Sequence, residues 1–260
     1  MFELDCQKEI IAVTQWLKRT VHQQDFEKVV IALSGGVDSA VACSLAVKAL
    51  GKEQVFVLLL PYGSLHTQAT EDALAVAKRL QIPEKNIRVR DITEGVDSFI
   101  ERNPPTTPSS GGDIRKGNIM ARVRMICLYD FAKEVNGLVC GTENKSEYHL
   151  GYFTRFGDEA SDIEPIRKFY KTQVYELAKH LDIPQEIITK APSANLWEEQ
   201  TDEKEFGFTY EEADKVLFYT EQGISEREII AKGISKNVVW DVLRWVKKNE
   251  FKHKLPYVYK

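Results

Sequence analysis

The chain has no long apolar run, no marked excess of either charge and no paired cysteines, and each lack excludes a class of function. No stretch reaches the roughly 20 apolar residues that a membrane-spanning helix needs, so no membrane partner is expected. The start, Met1-Phe2-Glu3-Leu4-Asp5, has neither a basic segment nor an apolar one after it, and no secretory leader is expected. A net charge of −4 argues against a broad electrostatic footprint on DNA or RNA, so no nucleic-acid partner is expected. The four cysteines, Cys6, Cys43, Cys127 and Cys140, form no Cys-x-x-Cys pair and sit in apolar or helical stretches. They read as reduced, buried thiols, which gives a cytoplasmic location as the expectation. The five histidines are scattered without zinc-ligand spacing. Internal repeats and low-complexity tracts are missing too.

What is present is an ordinary globular composition, 43% hydrophobic and 28% charged over 260 residues. Its most informative stretch is Val29-Val30-Ile31-Ala32-Leu33-Ser34-Gly35-Gly36-Val37-Asp38-Ser39-Ala40. The apolar, β-branched beginning reads as a buried strand. Ser-Gly-Gly stops it, and an apolar helix follows to Leu50. A glycine turn between a buried strand and a helix N-terminus aims backbone N–H groups at one point with the helix dipole behind it, which suits a phosphate. Gly35 and Gly36 let the backbone come close to an anion. No lysine follows the glycines as the Walker loop requires, and Gly-x-Gly-x-x-Gly does not match either. An empty tight turn, with Asp38 as a simple helix cap, is the plain alternative.

Strand-like and helix-like segments alternate. Helices are expected over 3–20, 39–50, 67–80, 93–102 and 118–135, and strands over 29–33, 55–60, 87–91 and 138–140. Continuous apolar strands between helices indicate an α/β fold, a doubly wound and mostly parallel sheet with helices on both faces. Ligands on such sheets bind beyond the carboxyl ends of the strands, where residues 34–39, 61–64 and 141–147 converge. Two segments, 103–117 and 196–209, read as loops able to act as lids. Residues 210–251 read as helical packing, and Lys171 opens a helix with Val174, Leu177, Ala178 and Leu181 on its apolar face. An ammonium at a helix start opposes the dipole, which suggests an anion between the two.

The loop Ser34-Gly35-Gly36-Val37-Asp38-Ser39 resembles the pyrophosphate loop of ATP pyrophosphatases. The likeness sharpens downstream, in Gly141-Thr142-Glu143-Asn144-Lys145-Ser146-Glu147, Gly151-Tyr152-Phe153-Thr154-Arg155-Phe156-Gly157-Asp158 and Asp162-Ile163-Glu164-Pro165-Ile166. It continues through Tyr170-Lys171-Thr172-Gln173-Val174, Ala191-Pro192-Ser193-Ala194-Asn195-Leu196-Trp197 and Gln200-Thr201-Asp202-Glu203, and includes Gly117-Asn118 and Ala121-Arg122-Val123-Arg124-Met125. In this order the motifs resemble the NAD synthetases, from about residue 5 to the end.

The resemblance implies roles. Leu33, Ser34, Gly35, Gly36, Val37, Asp38, Ser39, Thr142, Lys171 and Ser193 would contact ATP. Asp38 and Glu147 would ligate Mg²⁺ and, with Lys171, form the catalytic set. Arg122, Arg155, Asp158, His253 and Lys254 would contact deamido-NAD, and Asn118, four residues before Arg122, would share its face. Arg155 and Ser193 stand where relatives often carry Lys and Thr. The implied reaction is adenylylation of the nicotinate carboxylate by ATP, then attack of ammonia on the acyl carbon, giving NAD, AMP and pyrophosphate. Free ammonia is the expected donor, because glutamine-using relatives carry an extra amidohydrolase domain. A homodimer with deamido-NAD at the interface is implied, with helices 3–20 and 118–135 as candidate contacts. One domain over 1–260 is expected, with a nucleotide core over about 25–190 and a helical part over about 210–254. The alternatives are a base-modifying ATP pyrophosphatase, disfavoured by the absence of a basic surface, and a nucleotide-binding module without turnover.

Overall fold

The structure, a computed structural model, describes residues 4–63, 67–103, 112–197, 200–254 and 256–259. Its centre is a parallel sheet of β1 (Lys28–Ala32), β2 (Val55–Leu59), β3 (Ile87–Val89) and β4 (Gly137–Cys140), in the order β3-β2-β1-β4. Val29 pairs with Val55 on one side and Leu138 on the other, so β1 is central. The helices are α1 (Cys6–Gln23), α2 (Val37–Leu50), α3 (Thr67–Arg79), α4 (Thr93–Arg102), α5 (Gly112–Val135) and α6 (Lys145–Leu150). They continue as α7 (Lys171–His180), α8 (Gln185–Ile188), α9 (Asp202–Phe206), α10 (Tyr210–Glu221), α11 (Glu226–Ala231) and α12 (Lys236–Asn249).

The period-2 rule for strands divides β1 between two cores. Val29 and Ile31 face one way and pack with Leu17 of α1, Leu45 of α2 and Leu177 of α7. Val30 faces the other way, with Leu58, Val96 of α4 and Met120 and Phe131 of α5. Both faces are thus covered, which is why the strands are apolar without interruption. A third cluster joins Leu150 and Tyr170 to Phe206, Leu217, Ile229 and Val242, the helical C-terminal layer. Among the described residues no helix is long and apolar enough to cross a membrane.

Some expected boundaries shift. The helix expected from 39 starts at Val37, because Gly36 is its N-cap. Strand β3 stops at Val89 rather than 91. Of the expected loop 103–117, residues 112–117 belong to α5, and 104–111 lie outside the described residues. Of the glycines that suggested a loop, Gly111 lies outside the described residues and Gly112 opens the helix, which runs on through Gly117. Gly117 packs tightly on Leu196, whose Cδ1 would stand 2.9 Å from a Cβ placed there. The expected loop 196–209 contains α9, anchored by buried Phe206 and ended by Gly207 at φ +82°. Glu198 and Glu199, part of its acidic character, lie outside the described residues, as does Ser64 of the 61–64 loop.

Candidate active site

β1 runs into the glycine turn as its sequence suggests. Gly35 takes φ +77°, and a Cβ there would stand 2.4 Å from the carbonyl oxygen of Ala69 in α3, so no other residue fits without moving that helix. Serines 34 and 39 close the turn, their hydroxyls 3.1 Å apart. The Ser34 N–H donates to Ser39 Oγ at 3.2 Å, and Ser39 Oγ donates to the Gly36 carbonyl at 3.0 Å. The first N–H groups of α2, from Val37 to Ser39, have no partner within the helix and face outward along its axis. This is the anion-binding geometry of a helix N-terminus.

Asp38 stands in that first turn, at the edge of a cleft of about 450 Å³. Its Oδ2 accepts from Lys171 Nζ at 2.6 Å and its Oδ1 from Asn144 Nδ2 at 2.8 Å. Lys171 Nζ also donates to Glu147 Oε1 at 3.2 Å. One ammonium, its side chain only 3% exposed, therefore draws together two carboxylates from elements more than a hundred residues apart in sequence. Asn144 ties the two sides. It N-caps α6 by accepting the Glu147 N–H at 2.9 Å while its amide holds Asp38. Glu147 completes the reciprocal cap onto the Asn144 N–H.

The anions beside the lysine at the start of α7 are the protein's own carboxylates. Asp214 of α10 accepts the Thr172 N–H at 2.9 Å, and Ser146 accepts the Lys171 N–H at 2.8 Å while donating to Asp214. The Lys171 ammonium also lies 5.0 Å from the Tyr210 ring centre. Burial opposes its charge, yet Asp38 and Glu147 hold its pKa well above the lysine range. Burial also pushes Glu147 up to about 8, against the pull of Lys171. Behind them Tyr210 and Tyr152 donate to Asp202 at 3.0 and 3.1 Å, and Ala194 N–H donates to it at 3.2 Å, so Asp202 fixes the segment that carries Ser193.

Leu33, Ser34, Gly36, Val37, Asp38, Ser39, Thr142, Glu147, Lys171 and Ser193 all line this cleft, together with Asn118 and Asp158. Gly35 shapes the turn from behind. Asn118 turns to Thr154, accepting its hydroxyl at 2.9 Å, and Asp158 accepts the Thr154 N–H at 2.9 Å. Arg122, Arg155, His253 and Lys254 are gathered outside the cleft instead. Arg122 donates to the Arg155 carbonyl at 3.1 Å, and the Arg155 guanidinium lies 5.1 Å from the Phe251 ring centre. His253 packs against Tyr148 and Phe153 at 4.6 and 5.6 Å, and Lys254 pairs with Glu250. The arginine that does line the cleft is Arg124, whose Nε donates to the Leu60 carbonyl at 3.2 Å.

Sequence reasoning gave no role to Asn144, Tyr210, Asp202 or Asp214. Asn144 had a readable signal, an Asn three residues before Glu147, which is the spacing of a reciprocal helix cap. Asp202 meets Tyr152 across 50 residues and Asp214 meets Ser146 across 68, separations that leave no local pattern.

Beside the cleft, Glu143 is 6% exposed and takes an Arg167 N–H at 2.5 Å. Burial nevertheless pushes its carboxyl from 4.5 up to about 9, with Arg167 pulling the other way. A folded-state proton that the unfolded chain has released makes stability decline as pH rises from about 4.5 to about 9. Glu143→Gln is therefore expected to flatten the fall in melting temperature over that window. A variant that melts with the same pH slope as the parent refutes this reading.

The family model for NAD synthase matches residues 9–256. The chain belongs to the NAD synthase family. An NH(3)-dependent NAD(+) synthetase of Fusobacterium nucleatum is 39% identical over 249 residues, covering 95% of this chain and 93% of the relative. A structure described as NMN synthetase from Francisella tularensis superposes with TM-score 0.86 at 36% identity over 99% of both chains. The NH3-dependent NAD synthetase of Campylobacter jejuni, in complex with the nitrate ion, does so with TM-score 0.81 at 32% identity over 99% of this chain and 100% of that one.

Proposed function

We propose that this NAD synthase family member is a ligase that amidates deamido-NAD with ammonia at the expense of ATP, giving NAD, AMP and pyrophosphate. The observation that carries the reading is the Lys171 ammonium joining Asp38, at the end of the glycine turn, to Glu147 of the Gly141–Glu147 motif. In this reading residues 34–39 receive the ATP phosphates at the helix N-terminus, with Thr142, Lys171 and Ser193 around the nucleotide.

The donor set also fits Mg²⁺. Asp38 and Glu147 supply two hard carboxylates, brought together by the Lys171 ammonium, and magnesium takes one or two such ligands with phosphate oxygens and water. When bound there it would neutralise charge on the leaving pyrophosphate. Lys171 holds both carboxylates in place, and Asn144 fixes the orientation of each. The glycine turn fixes the α-phosphate against the nicotinate carboxylate. One carboxylate oxygen attacks that phosphorus, pyrophosphate leaves, and an acyl-adenylate results. Ammonia attacks the acyl carbon, the carbon–oxygen bond breaks, and AMP departs with the carboxylate oxygen while the amide nitrogen gives up its surplus proton. Positioning and electrostatics supply most of the rate, and no protein nucleophile is required.

We also read Arg122, Arg155, His253 and Lys254 as part of a deamido-NAD surface that a second copy of the chain completes. Their position outside the cleft supports this, as do exposed Ile126 and Phe156 beside them, 61% and 59% accessible. The inner faces of α1 and α5 are taken up by the protomer's own cores, so only their outer residues would serve a dimer. Residues 1–260 are read as one working unit, with the C-terminal layer closing the cleft, in a cytoplasmic protein.

The Francisella likeness gives a second reading, in which the amidated substrate is a mononucleotide. One assay separates them. With ATP, Mg²⁺ and ammonium, deamido-NAD should yield NAD and pyrophosphate in equal amounts, faster than nicotinate mononucleotide yields NMN. The reverse preference would establish the second reading, and ATP binding without turnover of either would overturn both.

A further inference from the structure

Lys171 is fully engaged by two carboxylates, and a helix N-terminus contributes only about half an elementary charge. A triphosphate brings more negative charge than these can balance. Three further lysines line the cleft: Lys190, Lys248 and Lys252. Lys252 donates to the carbonyls of Gly151 and Phe153 at 2.6 and 2.8 Å, which locks it to the C-terminal wall. Lys248 lies over Trp245 on the same wall, 5.6 Å from the ring centre.

Lys190 is placed differently. Its Nζ is 2.9 Å from Asp72 Oδ2 on α3, and Asp72 also accepts from Gln68. The Asp72 Cβ lies 3.1 Å from where a Cβ on Gly35 would stand. The ammonium is therefore one side chain away from the glycine turn. Lys190 leads directly into Ala191, Pro192 and Ser193, all on the cleft wall. Its side chain is 32% exposed, so it is neither sealed in nor free to wander in solvent.

We propose that Lys190 is a polyphosphate-binding residue: its ammonium passes from Asp72 to the outer phosphate oxygens of ATP and accompanies the pyrophosphate as it leaves. This rests on the reading that residues 34–39 hold the triphosphate. A lysine suits the task, since its flexible stem and three donors form a mobile point charge. Asp72 confines the ammonium beside the turn, which limits the rotamer freedom lost on binding. A single ion pair still partly open to water, its lysine side chain 32% and its aspartate 18% exposed, can yield the ammonium to a multiply charged anion.

The test is calorimetric titration of inorganic pyrophosphate and of ATP, with magnesium present and no nicotinate substrate. Lys190→Met should weaken both at least tenfold, and Lys190→Arg should retain most of the affinity. Asp72→Asn should leave binding unchanged or tighter, because the competing carboxylate is gone. In turnover, Lys190→Met should raise the KM for ATP more than that for the nicotinate substrate. Unchanged binding in Lys190→Met overturns the proposal. So does an equal loss in Lys190→Met and Asp72→Asn with no further loss in the double variant, which would make the pair a brace for the wall. Lys190-dependent ATP binding without any NAD or NMN formed would instead refute the proposed reaction and leave this inference standing.

Discussion

Asp38→Asn is expected to lower turnover about a hundredfold or more while leaving the fold nearly intact. The substitution keeps the shape of the side chain and removes one of the two carboxylates that the Lys171 ammonium draws together, a ligand of Mg²⁺ in the proposed reaction. Loss of several kcal/mol of transition-state stabilisation corresponds to two or more powers of ten in rate. Lys171 keeps Glu147 as a partner, so no buried ammonium is left alone. The new amide has to turn its NH₂ toward either Asn144 or Lys171, both of which donate to Asp38. That costs about 1 kcal/mol and a few degrees of melting temperature. Pyrophosphate release and a thermal melt on the same preparation check both halves. Turnover within about threefold of the parent would remove Asp38 from the mechanism.

Lys171→Met should affect stability as well as chemistry. The ammonium is nearly inaccessible and is the shared partner of Asp38 and Glu147. Removing it leaves two carboxylates facing each other beside the tyrosine-lined pocket of Asp202. Breaking a buried ion pair from one side typically costs about 3–5 kcal/mol, because the remaining charge stays desolvated. Glu147, already raised to about 8 by burial, loses the group that pulls it down and should hold its proton to still higher pH. The sign follows from linkage. The parent's contribution from this proton is lost as pH rises through about 8, whereas the variant keeps its proton beyond that, so the variant's stability should go on falling above about pH 8, where the parent's decline from this group ends. Turnover should drop about a thousandfold or more, since an electrostatic contact and the geometry of both carboxylates go together. Denaturant unfolding at two pH values decides it. A variant as stable as the parent, with the same pH slope, would show that Lys171 does not hold the carboxylates.

The sheet and the glycine turn were readable because both are local. Five apolar residues ending in Ser34-Gly35-Gly36 leave few options for the backbone, and the apolar run through Val29, Val30 and Ile31 announces burial on both faces. Helix phase was harder. Arg122 and Arg124 are two positions apart and project to different sides of α5, and one sequence does not say which side meets the cleft. The structure gives that place to Arg124 and turns Arg122 to the Arg155 carbonyl. Glycine misled at 112–117, where composition suggested a loop and packing on Leu196 favours a helix. The acidic 196–209 segment misled similarly, since Phe206 is a core residue and Asp202 a buried acceptor. The network of Asp214, Ser146 and Lys171 spans 68 residues and depends on the folded chain alone.

In the proposed reaction Asp38, Glu147 and Lys171 serve one arrangement, a nicotinate carboxylate held against the α-phosphorus of ATP. The most direct measurement labels that carboxylate with ¹⁸O and follows the label through turnover by mass spectrometry. Attack of the carboxylate on phosphorus followed by displacement with ammonia predicts one labelled oxygen in the AMP for every amide formed. Unlabelled AMP, or ADP and phosphate in its place, would contradict the account.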